Sequence, residues 1–209
     1  MNIVFPFQSF GGEKGGVGSA AIEIAKKVIG CKKVIACASS EEKLRLCHEL
    51  GADELVNYTT CTNLKATLKT LTNGKGADVV YDPVGGNTLS EACLRAMNFN
   101  GRYLVIGFAS GIIPKVPLNL PLLKSTSIVG VFWGGWRMKD TKGYNESNEQ
   151  IHEIVQYIRR GILTPTITER YSLENAGQCL QNFARRKVSG KVVIRIDRPK
   201  QKQILSSKL

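Results

Sequence analysis

A chain of 209 residues with 43% hydrophobic and 22% charged residues has the composition of an ordinary globular protein, with enough apolar content to bury a core. No apolar run approaches the roughly 18 residues of a membrane span, and residues 1–10 carry neither a basic leader nor a small-residue cleavage site, so neither a membrane helix nor a secretory signal is expected. The 29 Lys and Arg give a net charge of +12. They are scattered and lack interleaved aromatics, which describes a solvated basic surface rather than a nucleic-acid site.

Cys31, Cys37, Cys47, Cys61, Cys93 and Cys179 form no C-x-x-C pair, so buried free thiols are expected rather than a disulfide framework. His48 and His152 lack metal-ligand spacing, and no metal site is expected.

Val17, Ala21, Ile24 and Val28 fall at helical spacing, with Gly30 placed to end the helix. Residues 34–38 are a continuous apolar run, as in a strand covered on both faces. Ser39 then reads as an N-cap, Glu42 completes a capping box, and Gly51 stops the helix. Residues 55–58 predict a short strand. Leu64, Leu68 and Leu71 mark a helix ending near Asn73 and Gly74. Residues 78–82 predict a strand closed by Pro83, and 88–97 a helix before Gly101. Strands follow at 102–107 and 127–132, with a Pro-containing connection over 111–121 between them. Ile151, Ile154, Val155 and Ile158 mark a further helix. Beyond Gly161 the pattern changes to an appended unit, with a helix over 174–186 and a strand over 191–196.

Strands joined by helices imply parallel strands and right-handed crossovers, hence a doubly wound α/β sheet. Gly15, Gly16, Val17 and Gly18 open the first helix. Glycines there let the backbone approach a pyrophosphate facing the free N–H groups of the helix start. The dinucleotide fingerprint then expects an acidic residue about 20 positions on, to bind the ribose 2′-hydroxyl. Here that place is Ala38, followed by Ser39 and Ser40, with Lys43 a turn later. No carboxylate repels a 2′-phosphate, and hydroxyls and an ammonium are at hand to bind it. NADP(H) is expected over NAD(H).

Several segments occur in a characteristic order. They are Gly-Gly-Val-Gly-Ser-Ala-Ala-Ile-Glu-Ile-Ala-Lys (15–26), Ala-Ser-Ser-Glu-Glu-Lys-Leu (38–44) and Val-Asn-Tyr (56–58), then Asp-Val-Val-Tyr-Asp-Pro-Val-Gly-Gly (78–86) and Gly-Arg-Tyr-Leu-Val-Ile-Gly-Phe-Ala-Ser-Gly (101–111), and last Val-Gly-Val-Phe-Trp-Gly (129–134) and Ser-Gly-Lys-Val-Val (189–193). Together they resemble the quinone oxidoreductase branch of the medium-chain dehydrogenase/reductase superfamily, over residues 12–196. The resemblance implies a doubly wound (Rossmann) sheet over 1–162, a remnant of a substrate domain over 163–197 and a flexible tail over 198–209. It implies a zinc-independent, NADPH-dependent reductase of quinones, enones or related activated carbonyl compounds. Gly15 to Gly18 would hold the pyrophosphate, and Ser39, Lys43 and Tyr58 would surround the 2′-phosphate, with Ser40 alongside. Val84, Gly107, Phe108, Ala109, Phe132 and Trp133 would line the nicotinamide side, with core packing the other reading of Phe132 and Trp133. The resemblance also implies a homodimer through the edge strand at 127–132. No catalytic acid or base is assigned.

Two departures from the family stand out. No N-terminal substrate domain precedes the glycine loop, so a truncated product is expected. The first strand, which should lie mid-sheet, contains Pro6, and Glu13 and Lys14 replace small residues beside the pyrophosphate. At the other end, Ser207-Lys208-Leu209 reads as an address for the peroxisomal import receptor. Beside the reductase reading stands a non-catalytic NADP-binding or dimerisation module.

Overall fold

The computed structural model describes residues 1–6, 16–165, 167–185 and 191–196. Strand β1 (Asn2–Pro6) leads to helix α1 (Gly16–Glu23), which continues through π-helical turns at Ile24–Val28. There follow β2 (Lys33–Ala38), α2 (Glu41–Glu49), β3 (Glu54–Asn57), α3 (Leu64–Leu71), β4 (Ala77–Asp82), α4 (Asn87–Arg95) and β5 (Met97–Val105). After β5 come α5 (Asn119–Lys124), β6 (Ser127–Gly130), α6 (Trp133–Lys139) and α7 (Thr141–Arg159). Six parallel strands form one sheet in the order β3-β2-β1-β4-β5-β6. The order reverses direction between β1 and β4, and the strand ends there open the crevice in which such sheets bind ligands.

The expected elements occur where apolar runs and stop signals agree. Gly30, Gly51 and Gly74 adopt positive φ of 67°, 105° and 77° just after their helices, a conformation that glycine takes without Cβ strain. One core cluster packs Ile3, Phe5, Val34 and Ala36 against Ile22, Leu44 and Cys47. The second packs Val4, Ile35 and Val80 against Leu68, Leu89 and Met97. The centre of the sheet is therefore covered on both faces, as alternate residues of one strand point to opposite sides.

Sequence reasoning sets Pro6 against a central first strand, and here the structure differs. β1 lies mid-sheet with Ile3, Val4 and Phe5 at 5%, 0% and 1% exposure. Pro6 is its last residue, and the pairing with β4 covers only Ile3 and Val4, so the missing N–H interrupts no bond on that side. The start of β1 is anchored by the Asn2 N–H, which donates to Asp78 Oδ2 at 2.7 Å.

Other expectations are corrected in detail. The strand expected over 127–132 ends at Gly130, and Phe132 caps α6 instead. The helix expected over 88–97 ends at Arg95, and Met97 already belongs to β5. The Pro-containing connection between β5 and β6 carries the short helix α5, which sequence reasoning missed.

The appended unit consists of β7 (Ile167–Ser172), a 3-10 turn at Leu173–Asn175, α8 (Ala176–Ala184) and β8 (Lys191–Arg195), with β7 and β8 paired in parallel. It meets the main sheet near α1. The Thr164 N–H donates to Glu23 Oε1 at 3.0 Å, and the Lys191 stem crosses the start of α1. Glu13, Lys14, Gly15 and the Ser207-Lys208-Leu209 tripeptide lie outside the described residues. Among the described residues no helix is long and apolar enough to cross a membrane.

Candidate functional site

All the strands of the large sheet run the same way, so their carboxyl ends share one edge. Onto that edge the chain delivers the start of α1, the β2–α2 turn, the residues after β3, the β4–α4 turn and the segments after β5 and β6.

At the start of α1, Gly16 is half-buried, Val17 is 52% exposed and Gly18 is buried. A Cβ added to Gly16 would stand 2.6 Å from Lys191 Cε and 2.9 Å from Lys191 Nζ. The absent side chain thus makes room for a lysine of β8 beside the helix start, where free backbone N–H groups and an ammonium both favour an anion. Sequence reasoning did not single out Lys191. Its signal was available in the Ser-Gly-Lys-Val-Val segment, but only the fold brings that segment to α1.

After β2, Ala38 is fully buried and Ser39 and Ser40 are half-buried. Ser40, not Ser39, is the N-cap of α2, since its Oγ accepts the Lys43 N–H at 3.5 Å. Ser39 is thereby left to the other partner, and Lys43 Nζ donates to Ser39 Oγ at 3.0 Å. The carboxylate of Glu41 in this turn accepts the Asn57 side-chain amide at 2.9 Å. Tyr58 is half-buried, and its N–H donates to Ala38 O at 3.0 Å, which draws it alongside the β2 end. A cavity of about 460 Å³ opens beside Tyr58, between the start of α3 and the length of α4 from Thr88 to Arg95.

On the β4 side, Val84 is 2% exposed within the second core cluster. Its side chain is packed into that core, while its N–H and C=O are bonded to Asp82 Oδ1 and to the Ser110 N–H. Gly107 and Ala109 are half-buried, and Phe108 is 39% exposed. The Ala109 N–H donates to Pro83 O at 3.0 Å and the Ser110 N–H to Val84 O at 2.8 Å, so this stretch is laced to the β4–α4 turn. Phe132 is 79% exposed, which removes the core-packing reading for it. Trp133 is drawn toward α7: its indole N–H donates to Gln150 Oε1 at 2.9 Å, and the Arg137 guanidinium lies 5.7 Å from its ring centre. Gly15 lies outside the described residues.

Sequence reasoning also missed Asp82. Its carboxylate is 2% exposed and accepts hydrogen bonds from the Val84 and Gly85 N–H groups and the Ser90 and Tyr103 hydroxyls. The Asp-Pro pair was the available signal, because Asp opening a turn with Pro next in line bonds the backbone two residues on. Burial and the neighbouring Asp82 charge push the Tyr103 hydroxyl far above its ordinary range, so it stays a donor. Among the described residues no three of His, Cys, Asp or Glu gather as a metal set.

Residues 16–149 match the zinc-binding dehydrogenase family. The chain is 37% identical over 180 residues to quinone oxidoreductase-like protein 2 of Bos taurus, covering 86% of this chain and 50% of that protein. It is 36% identical over 181 residues to a homologue of the same protein in Nematostella vectensis, covering 86% and 48%. The chain thus spans about half the length of these curated relatives. Among solved structures, Escherichia coli quinone oxidoreductase complexed with NADPH superposes with a TM-score of 0.71 at 25% identity, over 93% of this chain and 57% of that one. The described residues offer no set to hold the zinc in the matched family's name.

Proposed function

The chain belongs to the quinone oxidoreductase-like branch of the medium-chain dehydrogenase/reductase superfamily, and from that premise we propose that it binds NADPH along the carboxyl edge of its large sheet and directs hydride to a quinone, an enone or a related activated carbonyl compound. One observation carries the choice of NADPH. Where a carboxylate would exclude a 2′-phosphate, the end of β2 presents Ser39 with the Lys43 ammonium 3.0 Å from its hydroxyl.

When bound, NADPH supplies a hydride from C4 of its nicotinamide ring. The chain supplies placement. Gly15 to Gly18 let the backbone approach the pyrophosphate, and the first N–H groups of α1 face it. Ser39 and Lys43 take the 2′-phosphate, with Ser40 holding the helix beneath them and Tyr58 at the side. The cavity beside Tyr58 offers room for the base. Gly107, Phe108 and Ala109 form the nicotinamide wall, and Phe132 and Trp133 close it from the β6 side, where they help to exclude water. We assign no acid or base, because hydride transfer to an activated carbon asks chiefly for orientation.

The unit over 163–197 fits the reading as a piece of a substrate domain. The Ser207-Lys208-Leu209 tripeptide would be read by the peroxisomal import receptor. The outer edge of β6 would pair with that of a second copy. A second reading, a non-catalytic NADP-binding or dimerisation module, draws on the same edge, since Ile128 and Val129 are 44% and 38% exposed there.

The test is NADPH oxidation by the purified chain with a quinone acceptor. Acceptor-dependent turnover supports the reductase. NADPH binding without turnover on any acceptor leaves the binding module.

A further inference from the structure

We infer that Asp82 is a positioning residue for the nicotinamide half of the site, one that fixes the backbone of the wall without touching the ligand. The inference rests on the proposed function above.

A carboxylate offers about four acceptor positions, and at Asp82 four donors fill them from three parts of the chain. Oδ1 accepts the Val84 N–H at 2.8 Å and the Gly85 N–H at 2.9 Å, both from the β4–α4 turn. Oδ2 accepts the Ser90 hydroxyl of α4 at 2.9 Å and the Tyr103 hydroxyl of β5. The Asp82 carbonyl takes the Ile106 N–H at 2.9 Å, just past the end of β5. The turn set by these bonds then holds the next segment. Pro83 O and Val84 O accept the N–H groups of Ala109 and Ser110, and the Gly86 N–H donates to Ile112 O at 3.0 Å. At Gly85, with φ of 70°, an added Cβ would stand 2.9 Å from Ile112 O and 3.0 Å from Phe108 Cδ1. Turn and wall are therefore in backbone contact, and a shift in one displaces the other.

Asp82, Ser90 and Tyr103 are 2%, 0% and 5% exposed, so none of them meets a cofactor directly. A buried charge costs desolvation that an apolar residue of similar size would avoid. What the carboxylate contributes is the geometry of four donors converging on one point. The Ser39 and Lys43 side lies at the end of β2, across β1 and β4, and does not share this network.

That separation sets the experiment. The 209-residue chain and its Asp82→Asn variant are titrated by calorimetry with NADPH and with adenosine 2′,5′-bisphosphate, which carries only the adenosine half. The amide nitrogen of Asn cannot accept, so donors are left facing it. The expected result is a fall in NADPH affinity of about tenfold, with the bisphosphate unchanged within about twofold. Equal losses for both ligands, or no loss for either, would overturn the inference. If Asp82→Asn does not fold, Ser90→Ala and Tyr103→Phe carry the test, each removing one donor and leaving the turn amides bonded. Each is expected to weaken NADPH about threefold and to spare the bisphosphate; unchanged NADPH affinity in both would overturn the inference. Absence of NADPH binding by the unmodified chain would overturn the proposed function itself, and this inference with it.

Discussion

Lys43 does two things with two ends of the same residue. Its N–H satisfies the Ser40 cap and its ammonium meets Ser39. Only the second bears on a cofactor, so Lys43→Ala separates them. NADPH binding is expected to weaken by roughly 1–3 kcal/mol, with little change for NADH. Equal losses for both cofactors would assign Lys43 to the helix alone. Asp78 offers a test by pH. Burial alone would raise its pKa, but the Asn98 amide, the Asn2 N–H, the terminal ammonium and Lys75 outweigh that and hold it below the ordinary value. A depressed folded-state pKa means that the stabilisation is complete above the unfolded value, near about 3.9, and is lost as pH falls from there through the lower folded-state value. Thermal melts from pH 6 downward should therefore show a loss near and below about pH 4 that Asp78→Asn flattens. An identical acid limb in the variant would exclude this anchor of β1. Not all residues were legible. Ser39 and Lys43 could be found from sequence because they follow a strand at fixed spacing. The burial of Val84 could not, because it depends on how Asp82 folds the turn behind it.

Among elements, β1 carries the most risk and the clearest test. Phe5 is 1% exposed and packs against Tyr81 with ring centres 5.5 Å apart. Phe5→Ala should cost about 3–5 kcal/mol, read by denaturant unfolding. A change near zero would mean that residues 2–6 do not form the central strand. β6 sits at the other extreme. Val131 N–H points inward to Val105 O, and strand alternation turns the Ile128 N–H outward. Under the proposed pairing of two copies, Ile128→Pro should leave the sheet intact and convert a dimer to a monomer in sedimentation. A variant that sediments like the parent would discard that interface. Two helices missed from sequence share a cause. α5 contains Pro121 and has Leu118 at its N-cap with no side-chain hydrogen bond, and α6 contains Gly134 and Gly135. Neither has the intrinsic preference or the spacing that marked α2 and α3. Pro6 misled for the opposite reason: a rule about strand interiors met a strand end.

For the whole molecule, topology was legible because strand and helix alternate and the central strands β1, β2 and β4 are apolar runs buried over most of their length. The parallel run of all six strands brings the described candidate residues to one edge, although they come from six separate segments. The thiols report on the same core. Burial pushes Cys47 up to about 12 and also raises Cys37 and Cys93 well above the ordinary thiol value, so they should react with thiol reagents only as the sheet opens.

The central claim is that this edge is an NADPH site. Both tryptophans, Trp133 and Trp136, lie on α6, beside the proposed nicotinamide wall, so their emission can follow a titration of the purified 209-residue chain with NADPH and, in parallel, NADH. Saturable quenching by NADPH at concentrations where NADH has little effect is the expected result. Equal response to the two, or none to either, would contradict the claim.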